Sequence, residues 1–307
     1  VRQLAADFGE TQGPADHDEL VAAILAHVPF RRAFDGEDDW PRIVGYFPFH
    51  PPMAPPVRPL SHLALPPLAT TGELAHWLGL TATELDWFAD PGGWGGASKA
   101  EALRHYRYRW LAKPAGGHRL LESPKPRLSG LQRQILRHIL NLLPVHPAAQ
   151  GCVPGRSMLD HAAGHVGRER VVRLDLEEFF GSVSGARVQA LFLSLGYPLP
   201  VARSLAGLTT HGAPPTVAAA LPRPDGVFPE VWRRQRSRAM RLTGRHLPQG
   251  APTSPSLANL CAFRLDLRLA GAATTIGATY GRYVDDLYFS ADGVAAAVRD
   301  TGVQARI

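Results

Sequence analysis

Three aspartates are the residues of this sequence best placed to do chemistry. Asp285 and Asp286 stand side by side in "GATYGRYVDDLYFSADG" (277–293), a run that otherwise favours strand. Adjacent carboxylates repel and are depleted in strands, so we expect them at a hairpin tip, where Asp is common. The pair alone is typical of an ordinary turn. Asp175 ends a second apolar run, "VVRLD", and three carboxylates on neighbouring strands are a ligand set for two Mg²⁺ ions, which would clamp the attacking and leaving oxygens of a phosphoryl transfer.

Two elements must bring these carboxylates together. "RVVRLDLEEFFGSV" predicts a buried strand that ends at an acidic tip, with Glu177 and Glu178 as helix-start or surface acids. Between this strand and the hairpin, "SGARVQALFLSLGY" and "PTSPSLANLCAFRLDLRLAGAA" predict helices. Residues 171–307 are therefore expected to form an antiparallel sheet packed on helices, with a loop and basic insertion at 212–245 whose last part (231–245) has six arginines and no acid.

The upstream sequence predicts two further regions. "YRYRWLAKPAGGHRLLESP" predicts a β-hairpin, and "KPRLSGLQRQILRHILNLLPV" predicts a helix with a basic outer face. Capping patterns at Thr71 and at Thr81 or Thr83 predict two short helices before Pro91. Residues 71–170 are thus expected to be a unit of helices and a hairpin. Residues 1–70 are expected to be an acidic extension that ends in a proline-rich, extended connector.

Composition and charge narrow the function classes. No apolar run approaches the ~20 residues of a membrane span, and the first residues lack a signal-peptide pattern. Two cysteines form neither a disulfide framework nor a zinc motif, so we expect a reducing, cytoplasmic setting. Residues 1–100 carry 6 Lys/Arg against 13 Asp/Glu, whereas residues 101–137 carry 9 against 2. The basic stretch indicates either a polyanion-binding surface or a solvated face.

Three motifs in order resemble the palm motifs of reverse transcriptases: "RLDLEEFFGSV", "LPQGAPTSPSLANL" and "YVDDLYFS". Their details are similar to the bacterial retron branch and, more distantly, to group II intron enzymes. The resemblance extends upstream through "HYRYRWLAKPAGGHRLLESPKPRLSGLQRQIL" and "HPAAQGCVPGRSMLDHAAGHVG", and covers roughly residues 70–292. It implies an α+β, right-hand polymerase fold with fingers at 71–170 and a palm at 171–307. It also implies a helical thumb, which is absent from these 307 residues.

The resemblance assigns roles to individual residues. Asp175, Asp285 and Asp286 match the catalytic metal ligands, and the carbonyl of Leu176 would be a further ligand for two Mg²⁺ ions, with Mn²⁺ as the alternative. Phe180 matches a bulky aromatic residue under the sugar of the incoming nucleotide. Its ring would collide with a 2′-hydroxyl and so favour dNTPs over ribonucleotides.

Two further sets of residues follow from the same resemblance. The implied nucleotide-binding set comprises Lys113 and Arg119 on the triphosphate, Gln249 facing the nucleotide, and Gly250, which would let the backbone approach the base pair. The implied nucleic-acid-binding set is Arg107, Arg109, Lys125, Arg127, Arg133, Arg137, His161, His165 and Asn259. Its basic members would give salt-sensitive affinity that is independent of sequence.

The sequence also departs from the retron pattern. Retron enzymes commonly show Asn-Ala-x-x-His ahead of the first catalytic strand, and here the run is "HAAGH", from His161 to His165. Two histidines at this spacing also suggest zinc, but no third ligand accompanies them. Val284 stands where the family often has Ala. The histidine in the Asn place weakens the assignment to the retron branch, whereas Val is tolerated in related enzymes and keeps the strand character.

We therefore expect an RNA-directed DNA polymerase of retron type. It would use dNTPs to copy a structured RNA, which serves as template and primer, into DNA, and it would act in anti-phage defence with an effector protein or a second copy of itself. The first alternative is a defence-associated reverse transcriptase with protein-primed or untemplated synthesis. The second is a non-catalytic RNA-binding scaffold, against which the three intact aspartates argue. No membrane partner is expected.

Overall fold

The computed structural model describes residues 53–57, 60–93, 101–113, 116–223 and 228–293, together with Ala26 and Val28. The chain divides into two units, Val1–Phe49 and His50–Ile307. All the described residues except Ala26 and Val28 belong to the second unit. Most of the predicted acidic extension therefore lies outside the described residues.

The helices and strands follow the order expected from the sequence. The described helices are α1 (Thr71–Leu78), α2 (Ala82–Ala89), α3 (Pro126–His138), α4 (Met158–Ala163), α5 (Phe179–Ser182), α6 (Gly185–Ser194), α7 (Leu199–Thr209), α8 (Pro215–Ala219), α9 (Pro229–Arg241), α10 (Ser254–Cys261) and α11 (Phe263–Thr275). The described strands are β1 (Tyr106–Ala112), β2 (His118–Pro124), β3 (Arg170–Asp175), β4 (Thr279–Tyr283) and β5 (Asp286–Ala291). None of the helices in the described part of the chain has the length and apolar character needed to cross a bilayer.

Strands β1 and β2 form the predicted hairpin. They pair antiparallel from Tyr106 opposite Pro124 to Ala112 opposite His118. Successive side chains of a strand point to opposite faces, so Tyr106, Tyr108 and Trp110 share one face. Tyr106 is buried on that face, and the Trp110 indole donates a hydrogen bond to the carbonyl of Val217 at 3.1 Å. The hairpin is thus fastened to the rest of the unit through its aromatic face.

Strands β3, β5 and β4 form an antiparallel sheet in that order, with β5 in the centre. Helix α11 packs on one face, where Ala273, Tyr280 and Leu287 are buried together. The expectation that β3 is a buried strand is wrong, because every residue of β3 is exposed. In the described sheet β3 pairs only with β5, and its apolar Leu174 is 38% exposed. An edge position accounts for this exposure.

The larger core lies among the helices, and its first helices are capped as the sequence suggests. Thr81 and Glu84 form a capping box at the start of α2. The cap of α1 is Thr70, one residue before the predicted Thr71, because its hydroxyl accepts from the backbone N–H of Glu73. Residues of α1, α2, α3, α6 and α7 supply most of the buried side chains.

Two predicted boundaries differ from the structure. The described parts of the connector, residues 53–57 and 60–70, pack on the core, with the backbone N–H of Ala54 donating to the carbonyl of Gly196 and with Leu68 buried. The compact unit therefore begins after Phe49 rather than at residue 71. The segment 212–245, predicted as a loop and basic insertion, contains α8 and α9 instead. Each of these helices begins with Pro in its first turn, where its missing N–H costs nothing.

Candidate active site

The sheet brings Asp175, Asp285 and Asp286 to one edge. Asp175, the last residue of β3, stands directly opposite Asp286, the first residue of β5. Asp285 precedes Asp286 in the turn, and its carbonyl accepts a hydrogen bond from the backbone N–H of Leu176 at 2.8 Å. The predicted hairpin and the convergence of the two strands are therefore confirmed.

The carboxylates are arranged unequally around this edge. Asp286 accepts two hydrogen bonds from Arg173, at 2.8 Å from Nε and 2.9 Å from Nη2. Among the described residues, no three His, Cys, Asp or Glu side chains are close enough together to hold a metal ion. Burial raises the pKa of Asp285, and the negative charges of Asp175 and Asp286 raise it further. A cation at this edge would relieve that repulsion.

The chemistry of these side chains suits hard divalent cations, although the three carboxylates are not gathered closely enough here to form a metal site. Carboxylate oxygens are the ligands that Mg²⁺ prefers, and this edge offers carboxylates from two adjacent strands and the turn between β4 and β5. Arg173 at present supplies the positive charge that Asp286 needs. For Asp286 to bind a metal, its carboxylate must leave the Arg173 guanidinium, whose side chain is 62% exposed and free to move into solvent.

A buried ion pair holds the turn that carries Asp285. Val284 has φ of 59°, a left-handed conformation that is strained for a β-branched residue. Its carbonyl accepts from Nη1 of Arg282 at 2.8 Å. Arg282 is fully buried and binds both carboxylate oxygens of Asp266, at 2.8 and 2.7 Å. The Tyr280 hydroxyl donates to the same carboxylate at 2.8 Å.

Asn259 belongs to this support rather than to a nucleic-acid surface. It is 2% exposed, its amide donates to the carbonyl of Gly151 at 2.9 Å, and its Oδ1 accepts from Arg282. Two roles were expected for Asn259, holding the turn or contacting the template backbone; these contacts show the first, and its 2% exposure argues against the second. Gly151 lies directly behind the turn, where a Cβ would come within 2.6 Å of the backbone nitrogen of Val284. Only glycine leaves room for that approach.

A cleft of about 480 Å³ opens beside the carboxylates. Asp175 and Asp285 line it together with four residues of the predicted nucleotide-binding machinery, namely Lys113, Arg119, Phe180 and Gln249. The resemblance places Phe180 under the sugar, and the alternative is that Phe179 and Phe180 are both core residues. Both rings line the cleft, but Phe179 is buried beneath the Arg282 guanidinium, whereas Phe180 is half-buried. The role of Phe180 at the sugar stays a prediction.

The cationic side of this cleft comes from the hairpin. Lys113 lies 3.3 Å from Glu178, which starts α5 with φ of 54°. The positive charge of Arg119 reaches Asp285 and lowers its pKa slightly against the larger effects that raise it. The hairpin thus supplies two cations to the cleft that Asp175 and Asp285 also line, which suits a substrate with several negative charges.

A buried pair of charges fastens the hairpin to the turn that bears Gln249. Glu122 of β2 and His246 are 1% and 3% exposed, and Nε2 of His246 lies 2.7 Å from the Glu122 carboxylate. Burial alone lowers the pKa of His246, but the hydrogen bond and the charge of Glu122 outweigh it and leave the pKa raised. Burial also drives the pKa of the neighbouring His211 down to about 3, so that ring is neutral.

Gly250 serves the same junction. The backbone N–H of Glu122 donates to the carbonyl of Gln249 at 2.8 Å. Gly250 has φ of 128°, and a Cβ on it would come within 3.0 Å of the Glu122 carbonyl oxygen. Gly250 thus lets the backbone approach β2 closely, and its approach to the base pair stays a prediction. Gly250 is not among the residues that line the cleft.

The histidines of "HAAGH" support the sheet instead of facing solvent. His161 is 7% exposed, and its ring packs against Tyr283 and Tyr288 with centroids 5.6 and 4.6 Å apart. His165 Nδ1 lies 2.7 Å from the hydroxyl of Ser290. Only 7% of His161 is exposed, which leaves little of its ring available to RNA, and contact with RNA stays a prediction for both histidines. His165 makes its observed contacts with the same sheet.

The predicted basic residues fall into two groups. Arg107 and Arg109 are exposed on β1, and Arg133 and Arg137 are exposed on α3. The other two side chains are already engaged, since the Lys125 ammonium donates to the carbonyls of Glu101 and Ala102 and Arg127 donates to Gly79. Contact with nucleic acid stays a prediction for all six.

Sequence reasoning missed the residues that position the site. Arg173, Asp266 and Arg282 were unassigned, as were Glu122 and His246. A signal existed for two of them: Asp266 is an acid within the apolar stripe of α11, and Arg282 is a charge on the core-facing side of β4. A charge at a core position of one element calls for an opposite charge on the element packed against it.

Comparisons with known proteins agree with the geometry. Residues 111–301 match the family described as reverse transcriptase (RNA-dependent DNA polymerase). The chain is 46% identical over 206 residues to the retron Mx65 reverse transcriptase of Myxococcus xanthus, covering 67% of this chain and 45% of that protein. It is 37% identical to the retron Mx162 enzyme of the same organism, covering 71% and 41%. It is 32% identical to the retron Ec86 enzyme of Escherichia coli, covering 59% and 47%. The matched part is less than half of each relative.

Proposed function

We propose that this chain, which belongs to the reverse transcriptase family and is of the bacterial retron type, is an RNA-directed DNA polymerase. The observation that carries the proposal is the convergence of Asp175 and Asp285 with Lys113, Arg119, Phe180 and Gln249 on one cleft. The carboxylates would face the end of the growing strand, where the reaction takes place, and the cations would face the triphosphate of the incoming nucleotide.

Different residues of the cleft would bind the metal ions, bind the triphosphate and select the sugar. Two Mg²⁺ ions held by Asp175, Asp285, Asp286 and the carbonyl of Leu176, with Mn²⁺ as the alternative, would stabilise charge on the attacking and leaving oxygens. Arg119 and Lys113 hold and orient the triphosphate, which requires Lys113 to exchange Glu178 for phosphate. Phe180 closes the space beside the 2′-carbon.

The template and the biological setting belong to the proposal as well. Similarity to retron enzymes supports a structured RNA that serves as template and primer, a DNA product and dNTP substrates. It also supports a role in anti-phage defence with an effector protein, within the cytoplasm. The exposed arginines of β1 and α3 would bind the RNA backbone.

One observation favours a non-catalytic RNA-binding scaffold as the second candidate. Asp286 is held by Arg173 in a two-pronged pair, an arrangement that would also suit a palm without metal. The two candidates differ in whether the aspartates matter for DNA synthesis.

The experiment measures incorporation of labelled dNTPs on an RNA template with a supplied primer. Asp175→Asn and Asp285→Asn should each abolish incorporation and leave RNA affinity nearly unchanged, because they remove a metal ligand and no RNA contact. Asp86→Asn, an exposed carboxylate on α2, is the matched control and should behave as the parent. Equal incorporation by the parent and the Asp285 variant would overturn the assignment.

A further inference from the structure

Helix α9 is a basic element that the polymerase site does not use. It contains five arginines and a single acid, Glu230, over 13 residues. Sequence reasoning treated this segment as an insertion. The structure shows it as part of the wall beside the cleft.

The inner face of α9 is fixed to the catalytic region. Ala239 is buried, and the Gln235 amide lies so close to Gly117 of the hairpin turn that a Cβ there would meet it at 3.1 Å. Arg238 donates to the Glu177 carboxylate, with Nη2 2.6 Å from Oε2. Glu177 is two residues after Asp175, so α9 has a defined position next to the metal-binding edge.

The outer face of α9 carries three arginines whose positive charge is not paired with a carboxylate among the described residues. Arg233, Arg236 and Arg241 are exposed. At about 100° per residue, Arg233 lies opposite Gln235 and Ala239, and Arg236 and Arg241 flank Arg233 on its two sides. Among the described residues, no carboxylate comes within ion-pairing distance of these three guanidinium groups. Arg233 and Arg241 are separated by roughly 12 Å along the helix axis, at about 1.5 Å per residue.

A solvated helix face normally mixes charges of both signs. Glu and Lys or Arg at a spacing of three or four stabilise a helix by a few tenths of a kcal/mol, and like charges at that spacing destabilise it by a similar amount. Arg233 and Arg236 stand three apart, and the one acid of the helix, Glu230, is three residues before Arg233 and six before Arg236. Binding a polyanion would remove this repulsion. All the cations of this face are arginines, whose planar fork pairs with phosphate through two hydrogen bonds.

We propose that the outer face of α9, formed by Arg233, Arg236 and Arg241, binds the phosphate backbone of the RNA strand that approaches the cleft. The inference rests on the proposed polymerase function and adds a contact surface to it. The helix presents these arginines in a fixed position, since Arg238 and Gln235 hold its inner face against the rest of the protein.

The test is the salt dependence of RNA binding. We would measure the affinity of the full chain for a labelled single-stranded RNA of mixed sequence by fluorescence anisotropy across a series of salt concentrations. Removing one arginine that neutralises a phosphate of a single strand lowers the slope of log affinity against log salt by about 0.7. The Arg233→Gln, Arg236→Gln, Arg241→Gln triple variant should therefore reduce the slope by about 2 in total.

A matched triple variant removes the same charge from surfaces away from the cleft: Arg203→Gln, Arg264→Gln and Arg268→Gln on α7 and α11, where all three side chains are exposed. It should keep the slope of the parent. Far-ultraviolet circular dichroism and thermal unfolding establish that both variants are folded.

The possible outcomes are distinct. Equal slopes for the two triple variants would overturn the α9 surface and leave the polymerase proposal standing. Tighter RNA binding by the α9 variant would also overturn it. A parent that binds no RNA would contradict the proposed function itself.

Discussion

Replacing Asp266 with Asn tests whether the buried ion pair between Asp266 and Arg282 positions the turn between β4 and β5, which carries Asp285. Asp266 and Arg282 are both 0% exposed, and the guanidinium binds both oxygens of the carboxylate. Removing one partner leaves a buried charge unpaired, which costs about 3–5 kcal/mol. Asn keeps the shape of the side chain and one acceptor, so we expect the lower end of that range, about 3 kcal/mol. A domain has only about 5–15 kcal/mol of stability.

Urea unfolding followed by circular dichroism measures this loss. With a denaturant slope of about 3 kcal/mol per molar, the midpoint should fall by about 1 M. Asp292→Asn is the control, because its pair with Arg168 has the same chemistry at 2.7 Å but is 45% and 39% exposed. An exposed pair contributes at most about 1 kcal/mol. If Asp266→Asn destabilises the protein no more than Asp292→Asn, the reasoning is refuted.

The same ion pair separates stability from catalysis. Replacing both partners with apolar residues, Asp266→Leu with Arg282→Met, should recover most of the stability, because no unpaired charge remains. DNA synthesis should stay low in this double variant, since the carbonyl of Val284 no longer has its donor and the strained turn no longer has its support. Recovery of parental synthesis together with stability would show that Arg282 is a folding residue only.

Four further changes probe the site and its surroundings. Phe180→Val should raise incorporation of ribonucleotides relative to dNTPs in single-nucleotide assays, and an unchanged ratio would place the gate elsewhere. Arg173→Gln should lower the Mg²⁺ concentration for half-maximal synthesis by about two- to fivefold, since an exposed ion pair that competes with the metal contributes at most about 1 kcal/mol; an unchanged or higher requirement would contradict the competition. The raised pKa of His246 means that its pair with Glu122 stabilises the fold fully below pH about 6.5 and loses that stabilisation as the pH rises through the raised pKa. The difference in unfolding free energy between the parent and His246→Gln should shrink over that range, and a constant difference would mean that His246 does not titrate there. Deleting residues 1–49 should spare synthesis on a supplied primer-template and weaken assembly with a protein partner, whereas loss of synthesis by a folded deletion protein would make this segment part of the polymerase.

Local sequence patterns were enough to predict the elements that carry the site. The hairpin at 277–293 was predicted because adjacent aspartates do not suit a strand interior, and the structure has its turn at Val284 and Asp285. The alternation of "YRYRWLA" likewise predicted β1 and its aromatic face. Such patterns depend on the period of one element, which a single sequence displays.

Contacts between elements were beyond that reasoning. The burial of Asn259 depends on two partners from other elements: Arg282, which is 23 residues away in the chain, and Gly151, which is 108 residues away. The exposure of β3 depends on its place at the edge of the sheet, because "RVVRLD" has the composition of a buried strand. Proline and glycine at 212–230 suggested a loop, whereas Pro215 and Pro229 occupy first turns of helices.

Analysis of the nucleic acid that purifies with the protein tests the central claim most directly. After nuclease treatment, the bound material would be sequenced and examined for covalent linkage between RNA and DNA. We expect DNA that is complementary to a structured RNA and covalently joined to it, because that RNA serves as template and primer, and we expect Asp285→Asn to retain the RNA without the DNA. DNA without a complementary RNA, or the same DNA with the Asp285 variant, would contradict it.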